Sequence, residues 1–120
     1  MKKILIIEDE ETMKNSLGEI FMEEGFDVQT ASDGEEGYDM IKNGNADIVL
    51  LDIILPKMDG FEIMEKLSKE KVKHPPIIIL TNLSDVENVQ KAINFGANTY
   101  LIKSDYQLSE IVEKVKAILK

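Results

Sequence analysis

The sequence predicts an α/β domain in which five strands alternate with five helices and form a doubly wound parallel sheet. Three observations favour this class: five short aliphatic runs, stretches of helical periodicity between them, and turn or capping residues at most junctions. Strand-helix-strand units take right-handed crossovers, so the strands become parallel and helices cover both faces of the sheet. The 120 residues suffice for one domain, residues 1–120, around a single core.

The predicted strands are short and consist largely of β-branched and other aliphatic residues. Most are apolar at consecutive positions, which is typical of parallel strands that are buried on both faces. The predicted strands are Ile4–Ile7, Phe26–Ala31, Ile48–Leu51, Ile77–Leu80 and Tyr100–Ile102.

Apolar residues spaced three and four apart predict the helices between these strands. The first helix carries them at Met13, Leu17, Ile20 and Phe21. The third is expected to place Phe61, Met64 and Leu67 in the core. The fifth has the most regular pattern, at Leu108, Ile111, Val112, Val115, Ile118 and Leu119.

Capping residues mark where these helices begin and end. Residues 32–35 (SDGE) and 84–87 (SDVE) fit the capping box that opens a helix, with Ser32 and Ser84 as the caps of the second and fourth helices. Asp59 is predicted to cap the third helix. Glycines lie where the first, second and fourth helices are expected to end, at Gly25, Gly44 and Gly96.

Composition excludes several classes of function. The net charge of -9 disfavours direct nucleic-acid binding, because the phosphate backbone would be repelled. No apolar run approaches the roughly 18 residues of a membrane span, so no membrane association is expected. The absence of cysteine removes disulfides, thiolate metal sites and thiol nucleophiles, and a cytoplasmic location is the expectation.

Polar side chains follow four of the apolar runs, at the point where each predicted strand ends. Glu8 and Asp9 follow the first strand, Asp52 the third, Thr81 the fourth and Lys103 the fifth. The carboxyl ends of parallel strands meet at one edge of a sheet, where ligands bind. We therefore expect three acids, a hydroxyl and an ammonium group to converge.

Three neighbouring carboxylates repel one another by about 3 kcal/mol per pair at ~5 Å, and one lysine does not balance them. A hard divalent cation would balance their charge. Mg²⁺ suits a site of one or two carboxylates that leaves positions for water and phosphate oxygens. Asp9 and Asp52 are assigned as direct ligands and Glu8 as a ligand through water. Phosphoryl transfer to a carboxylate fits such a site, with Asp52 as nucleophile and with Lys103 and Thr81 contacting phosphoryl oxygens.

Four segments together resemble bacterial response regulator receiver domains, including chemotaxis regulators. They are IIEDE at the first strand, LLDIILPKMDGFEIM around the acceptor, IIILTN at the fourth strand and YLIKSD at the fifth. The resemblance spans the whole chain, and its four motifs stand in the family's order and at its separations. It implies a flavodoxin-like fold with strand order 2-1-3-4-5.

The resemblance also implies a function in two-component signalling. Asp52 would accept a phosphoryl group from a phosphohistidine of a sensor histidine kinase or histidine phosphotransfer protein, with Mg²⁺ or Mn²⁺ as the ion and the backbone carbonyl of Ile54 as a further ligand. The domain would catalyse its own phosphorylation and slow autodephosphorylation, and would not be an enzyme. Thr81 and Tyr100 match the family's switch pair, which changes the surface of helix four, strand five and helix five.

That surface would bind a downstream effector protein or domain, and dimerisation on phosphorylation is a further expectation.

Three features depart from the family's usual pattern. Ser104 replaces the proline that commonly follows the lysine, and because a cis bond to a non-proline residue costs roughly 3 kcal/mol, we expect a trans bond. Asn82 is larger than the small residue that usually follows the switch threonine, so we expect access to the phosphoryl group to be narrower. Ile54 and Leu83 occupy positions that often carry polar side chains able to orient water, which predicts slow autodephosphorylation.

Other readings of the same residues stay open at this level. Asp52 and Lys103 could form a structural ion pair, and Glu10 and Glu11 are interpreted as the solvated start of a helix. Residues 9–12 nearly match the Asp-x-Asp-x-Thr signature of haloacid dehalogenase-like phosphohydrolases, with Asp9 as nucleophile. A flavin or nucleotide binder is disfavoured because the first loop is acidic and lacks glycines. The remaining alternative is a receiver-like module that binds proteins without taking phosphate.

Overall fold

A computed structural model describes all residues, 1–120. Strands and helices alternate strictly along the chain, as predicted, and one 3-10 turn at Lys103–Asp105 follows the last strand. The strands are β1 (Lys3–Ile7), β2 (Asp27–Ala31), β3 (Ile48–Leu51), β4 (Ile77–Thr81) and β5 (Thr99–Ile102). The helices are α1 (Glu11–Glu23), α2 (Gly34–Asn43), α3 (Gly60–Lys69), α4 (Val86–Asn94) and α5 (Leu108–Leu119).

All five strands are parallel and form one sheet in the order β2-β1-β3-β4-β5, which confirms the predicted 2-1-3-4-5 arrangement. Ile7 pairs with Leu51 across β1 and β3, and the ladder between β4 and β5 ends at Thr81 opposite Ile102. The carboxyl ends of β1, β3, β4 and β5 therefore lie side by side, so residues that follow them share one edge of the sheet.

Two apolar clusters, one on each face of the sheet, form the core. Alternate residues of β1, β3 and β4 enter opposite clusters, because successive side chains in a strand point to opposite faces. Ile4 and Ile6 pack with Phe21 of α1 and Val112 of α5. On the other face, the odd-numbered residues of β1, such as Leu5, pack with α2, α3 and α4. The prediction of strands buried on both faces is confirmed for these strands, whereas β2 is an exposed edge strand.

The predicted caps of α2 and α4 are each wrong by one residue. Asp33 rather than Ser32 is the N-cap of α2, and its carboxylate accepts a hydrogen bond of 2.8 Å from the amide of Glu36. Asp85 rather than Ser84 is the last extended residue before α4, and no side chain caps this helix. A capping box needs its acid three residues after the cap. The one-residue shift still places an acid, Glu36, at that position of α2, whereas it places Asn88 there in α4.

The predicted cap of α3 is confirmed, since Asp59 and Glu62 form a full capping box. The predicted core face of α3 needs one correction. Ile63 is fully buried, whereas Phe61 is only half-buried and lies under the ammonium of Lys91, 4.5 Å from its ring centre. Met64 and Leu67 are buried as predicted, Phe61 packs against the edge of the core, and Ile63 is the core residue that the prediction omitted.

The loop between β3 and α3 packs tightly against the start of α2. The amide of Gly34 donates a 3.1 Å hydrogen bond to the carbonyl of Pro56, and a Cβ on Gly34 would lie 1.6 Å from the carbonyl oxygen of Met58. Lys57 has a positive φ of 69° and forms an ion pair of 3.7 Å with Asp33. The chain that leaves β3 is thus joined to α2 by hydrogen bonding, packing and charge.

The helices differ in how firmly they are anchored. α2 and α3 each contribute four buried residues, whereas α4 contributes one, Ala92. At the start of α4 the side chain of Val86 is 81% exposed. None of the helices has the length and apolar character needed to cross a membrane.

Candidate functional site

Three carboxylates converge at the carboxyl edge of the sheet. Glu8 and Asp9 directly follow β1, and Asp52 directly follows the neighbouring strand β3. One carboxylate oxygen from each lies within 4.8 Å of the others. At that separation and an effective dielectric constant of 20, each pair of ionised groups repels by about 3 kcal/mol. The parallel pairing of β1 with β3 therefore creates a strongly anionic site.

The three acids differ in burial. Glu8 is 2% exposed and Asp52 is 7% exposed, whereas Asp9 is open to solvent. The amide of Asp52 donates to the carbonyl of Ile7, and the amide of Glu8 donates to Ala31, so the backbone bonding of the sheet continues one residue past the strands. The acidic side chains are thereby carried by rigid strand ends rather than by mobile loops.

Lys103 reaches the same site from the end of β5. Its ammonium group donates to Asp52 at 2.8 Å and also to Glu8. Burial lowers the pKa of Lys103, but the hydrogen bonds to Asp52 and Glu8 and their charges outweigh this effect, so its pKa lies above the ordinary value. The lysine is therefore a permanent cation that contacts two of the three acids.

One ammonium group does not compensate for three carboxylates. Burial, together with the proximity of Asp52, raises the pKa of Glu8 to about 7 despite its hydrogen bond to Lys103. Asp9 has no lysine partner. The site thus retains an excess of negative charge, and its hard oxygen donors match the ligand preference of Mg²⁺.

Thr81 is the last residue of β4 and is completely buried. Its hydroxyl oxygen has no hydrogen-bond partner. A buried hydroxyl without a partner is unfavourable, and exceptions of this kind call for an explanation. A group that binds at the acidic edge and accepts this hydrogen bond would remove the penalty.

Tyr100 lies on β5 and is half-buried. Its hydroxyl donates a hydrogen bond of 2.7 Å to the carbonyl of Leu83, in the loop that connects β4 to α4. Burial and the charges of Asp52 and Asp85 raise its pKa, so the phenol is neutral and remains a donor. The sequence marked Tyr100 as a candidate, but it gave no signal for the Leu83 carbonyl, because any residue can supply one.

Ile54 lies two residues past Asp52. Its amide is 3.3 Å from an oxygen of Asp52, and its side chain is 59% exposed above the site. Its carbonyl takes no part in the hydrogen bonds of the turn and is free to bind a cation. The structure thus brings Glu8, Asp9, Asp52 and Lys103 together beside the turn at Ile54. Thr81 ends β4, the strand between β3 and β5.

The loop after β5 is joined to the end of β4 by a side chain. The amide of Ser104 donates a 3.2 Å hydrogen bond to Oδ1 of Asn82. All peptide bonds are trans, which confirms the expectation for the bond between Lys103 and Ser104. Asn82, Lys103 and Ser104 share the lining of an open groove of about 550 Å³ with the start of α1 and the start of α5.

Two other acids of the first loop have a structural role. Glu10 is the N-cap of α1, and its carboxylate accepts from the amides of Thr12 and Met13. Glu11 is exposed in the first turn, where its negative charge interacts favourably with the positive end of the helix dipole. The interpretation of these two residues as a solvated helix start is confirmed.

The fold and the site together define a class: small parallel α/β domains whose carboxyl edge carries three acids, a lysine and a buried hydroxyl. Comparison with known proteins agrees. The family model for the response regulator receiver domain matches residues 4–116. The chain therefore belongs to the response regulator receiver domain family.

Among curated proteins, the cell cycle response regulator CtrA of Brucella ovis is 36% identical over 118 residues, which cover 98% of this chain and 50% of the relative. The chain thus spans about half the length of the curated relatives it matches. A CheY-like receiver domain protein from Methanospirillum hungatei has a TM-score of 0.88 at 32% identity, covering 98% of this chain and 92% of that one.

Response regulator protein TrrA from Thermotoga maritima, solved in complex with Mg²⁺ and BeF, has a TM-score of 0.84 at 36% identity, covering 98% of this chain and 99% of that one. Receiver domains are signalling domains rather than classical enzymes, and they interact with kinases and effectors. Family membership disfavours the haloacid dehalogenase-like alternative.

Proposed function

We propose that residues 1–120 form a receiver unit that accepts a phosphoryl group on Asp52 from a phosphohistidine of a sensor histidine kinase or a histidine phosphotransfer protein. One observation carries this proposal: the nearly buried carboxylate of Asp52 lies 2.8 Å from the Lys103 ammonium and within 4.8 Å of two further acids. A structural ion-pair network would explain Lys103 together with Asp52 and Glu8. It leaves Asp9 and the unpaired Thr81 hydroxyl unexplained.

The reaction moves one phosphoryl group between two nucleophiles. A carboxylate oxygen of Asp52 forms a bond to phosphorus while the bond between phosphorus and the donor imidazole nitrogen breaks, and the imidazole leaves with the electron pair of that bond. The ammonium of Lys103 stabilises one phosphoryl oxygen, and the hydroxyl of Thr81 donates to another. Such transfer depends mainly on positioning and on neutralising the phosphoryl oxygens.

The residues present fit a divalent cation, and Mg²⁺ is the proposed ion, with Mn²⁺ as a substitute. Asp9, Asp52 and the carbonyl of Ile54 would hold it directly, and Glu8 through water. When bound, the ion supplies positive charge that offsets the carboxylates and the phosphoryl oxygens. TrrA, the relative in complex with Mg²⁺ and BeF, supports this assignment.

Thr81 and Tyr100 are proposed as the switch. Once the Thr81 hydroxyl donates to a phosphoryl oxygen, it draws the end of β4 and the following loop, which carries the Leu83 carbonyl that Tyr100 contacts. The surface formed by α4, β5 and α5 then changes its population of conformers, and an effector protein or domain binds the favoured form. Dimerisation through this surface on phosphorylation is part of the proposal.

Incubation with acetyl phosphate and Mg²⁺ followed by intact mass measurement tests the function. The wild type is expected to gain the mass of one phosphoryl group, and Asp52→Asn is expected to gain none. Asp39→Asn, which changes an exposed acid of α2, is the matched control and is expected to react like the wild type. An unmodified wild type would favour the module that only binds proteins.

The ion is tested separately by calorimetry. Wild-type protein is expected to take up Mg²⁺, and Asp9→Asn to lose most of the affinity, because Asp9 is the acid that no lysine contacts. Absence of cation uptake by the wild type would refute the metal assignment. Hydrolysis of a phosphate ester that survives Asp52→Asn would instead support a phosphohydrolase with Asp9 as nucleophile.

A further inference from the structure

The turn that carries Lys103 has few contacts that hold its backbone. The ladder between β4 and β5 ends at Thr81 and Ile102, so Lys103 is the first residue beyond it. Within the turn, the amide of Tyr106 donates weakly to the carbonyl of Lys103 at 3.3 Å. A lysine side chain is long and rotatable, and its ammonium can be directed at two acids only if its backbone is held.

The hydrogen bond from Ser104 to Asn82 is the contact that continues beyond the ladder. Oδ1 of Asn82 accepts the Ser104 amide at 3.2 Å and so bridges the ends of β4 and β5 one residue past Lys103. Residue 82 follows the buried Thr81, and residue 104 follows Lys103. The bond therefore connects the two backbone segments that carry the hydroxyl and the ammonium of the site.

Asn82 and Ser104 both differ from the residues that the family usually has at these positions, and the hydrogen bond between them needs both differences. A proline at 104 would have no amide hydrogen, so it would leave Asn82 without this donor. A small apolar residue at 82 would leave the Ser104 amide without this acceptor. Each of the two residues is useful in this chain because the other is present.

We propose that Asn82 is a positioning residue for Lys103, acting through the Ser104 amide; this inference rests on the proposed function. Asn82 holds the turn in the conformation that directs the ammonium toward Asp52 and Glu8. Because its Oδ1 is engaged by Ser104, Asn82 acts on the phosphoryl site through the backbone.

Hydrogen exchange of the Ser104 amide, measured by NMR, tests the bond itself. Exchange is expected to be about three- to tenfold faster in Asn82→Ala than in the wild type, as for the loss of one neutral hydrogen bond. Asn98→Ala removes an exposed asparagine at the opposite end of β5 and is the matched control, with no change expected. Unchanged exchange in Asn82→Ala would overturn the inference.

The affinity for beryllofluoride in Mg²⁺ tests the action on Lys103. Asn82→Ala is expected to weaken it about three- to tenfold. Asn82→Ala is expected to cause no further loss of this affinity when it is added to Lys103→Ala. Nor is it expected to cause one when it is added to Ser104→Pro, which already lacks the amide donor. Ser104→Ala keeps the amide and separates loss of the bond from loss of the hydroxyl.

These measurements distinguish a failure of the proposed phosphoryl acceptor from a failure of the proposed role of Asn82. A wild type that binds no beryllofluoride would refute the proposed function, and the inference with it. A wild type that binds it while Asn82→Ala binds equally well would refute only the inference. An equal loss on Asn82→Ala with and without Lys103 would show that Asn82 acts on the ligand directly, which also overturns it.

Discussion

Substitution of Thr81 by valine is expected to have opposite effects on stability and on ligand binding. Thr81 is fully buried, and its hydroxyl has no hydrogen-bond partner. Burying an unpaired hydroxyl costs about 1–3 kcal/mol in proteins, and valine replaces it with a methyl group of similar size. We therefore expect the free energy of unfolding of the ligand-free protein to rise by about 1–2 kcal/mol, which for 120 residues corresponds to roughly 4–8 °C in Tm.

The same substitution removes the hydroxyl that is proposed to donate to the bound phosphoryl group. A hydrogen bond to a charged acceptor contributes about 1.5–3 kcal/mol, so the affinity for beryllofluoride in Mg²⁺ should fall about 10- to 100-fold. At a ligand concentration 100 times the wild-type Kd, the wild type gains about 2.7 kcal/mol of stability. Thr81→Val is expected to gain at most about 1.4 kcal/mol under the same conditions.

Urea unfolding followed by circular dichroism, with and without Mg²⁺ and beryllofluoride, measures both effects in one experiment. Thr99→Val is the matched control, because the Thr99 hydroxyl already donates to Asn98 at 2.9 Å and lies at the opposite end of the sheet. It should be no more stable than the wild type and should bind the ligand equally well. A ligand-free Thr81→Val that is no more stable than the wild type would refute the reasoning about the unpaired hydroxyl.

Three further predictions concern backbone packing, capping and the lifetime of the phosphoryl group. Gly34→Ala would place Cβ 1.6 Å from a carbonyl oxygen of the loop after β3, so urea unfolding should show a loss of about 3 kcal/mol, unlike the uncrowded Gly18→Ala; equal stabilities would contradict this. Asp59→Ala removes the capping box of α3 and should cost about 1 kcal/mol in the same assay, and an unchanged midpoint would count against it. Because Ile54 and Leu83 have no polar side chain to orient an attacking water, autodephosphorylation followed by intact mass is expected to be slow, and a half-life of only seconds would argue otherwise.

The sequence predicted the architecture well because one physical pattern determines it. Strands such as Ile4–Ile7 and Ile48–Leu51 are apolar on both sides, which requires helices on both faces of the sheet, and a helical crossover between successive strands makes them parallel. Once the strands are parallel, the acids at 8, 9 and 52 must share one edge. The candidate site followed from topology rather than from any detail of packing.

Local features that depend on a single residue were harder to predict. A shift of one residue moved the cap of α2 from Ser32 to Asp33, and both residue types cap equally well. Tertiary packing placed Ile63 rather than Phe61 against the sheet. The contact of Tyr100 with a backbone carbonyl, and that of Asn82 with a backbone amide, carry no sequence signal, because main-chain groups are present at every position.

α4 is the most lightly anchored of the five α-helices, because it contributes one buried residue and the others contribute three or four. Displacing a helix exposes to water the apolar surface that it had covered, at about 25 cal/mol per Å², and an alanine side chain covers little. With Ala92 as its only fully buried residue, α4 resists displacement far less than the well-anchored α2 and α3. We therefore expect a disturbance of a few kcal/mol at the acidic edge to be relieved at α4 rather than at the firmly packed α2 and α3 on the other flank of the sheet.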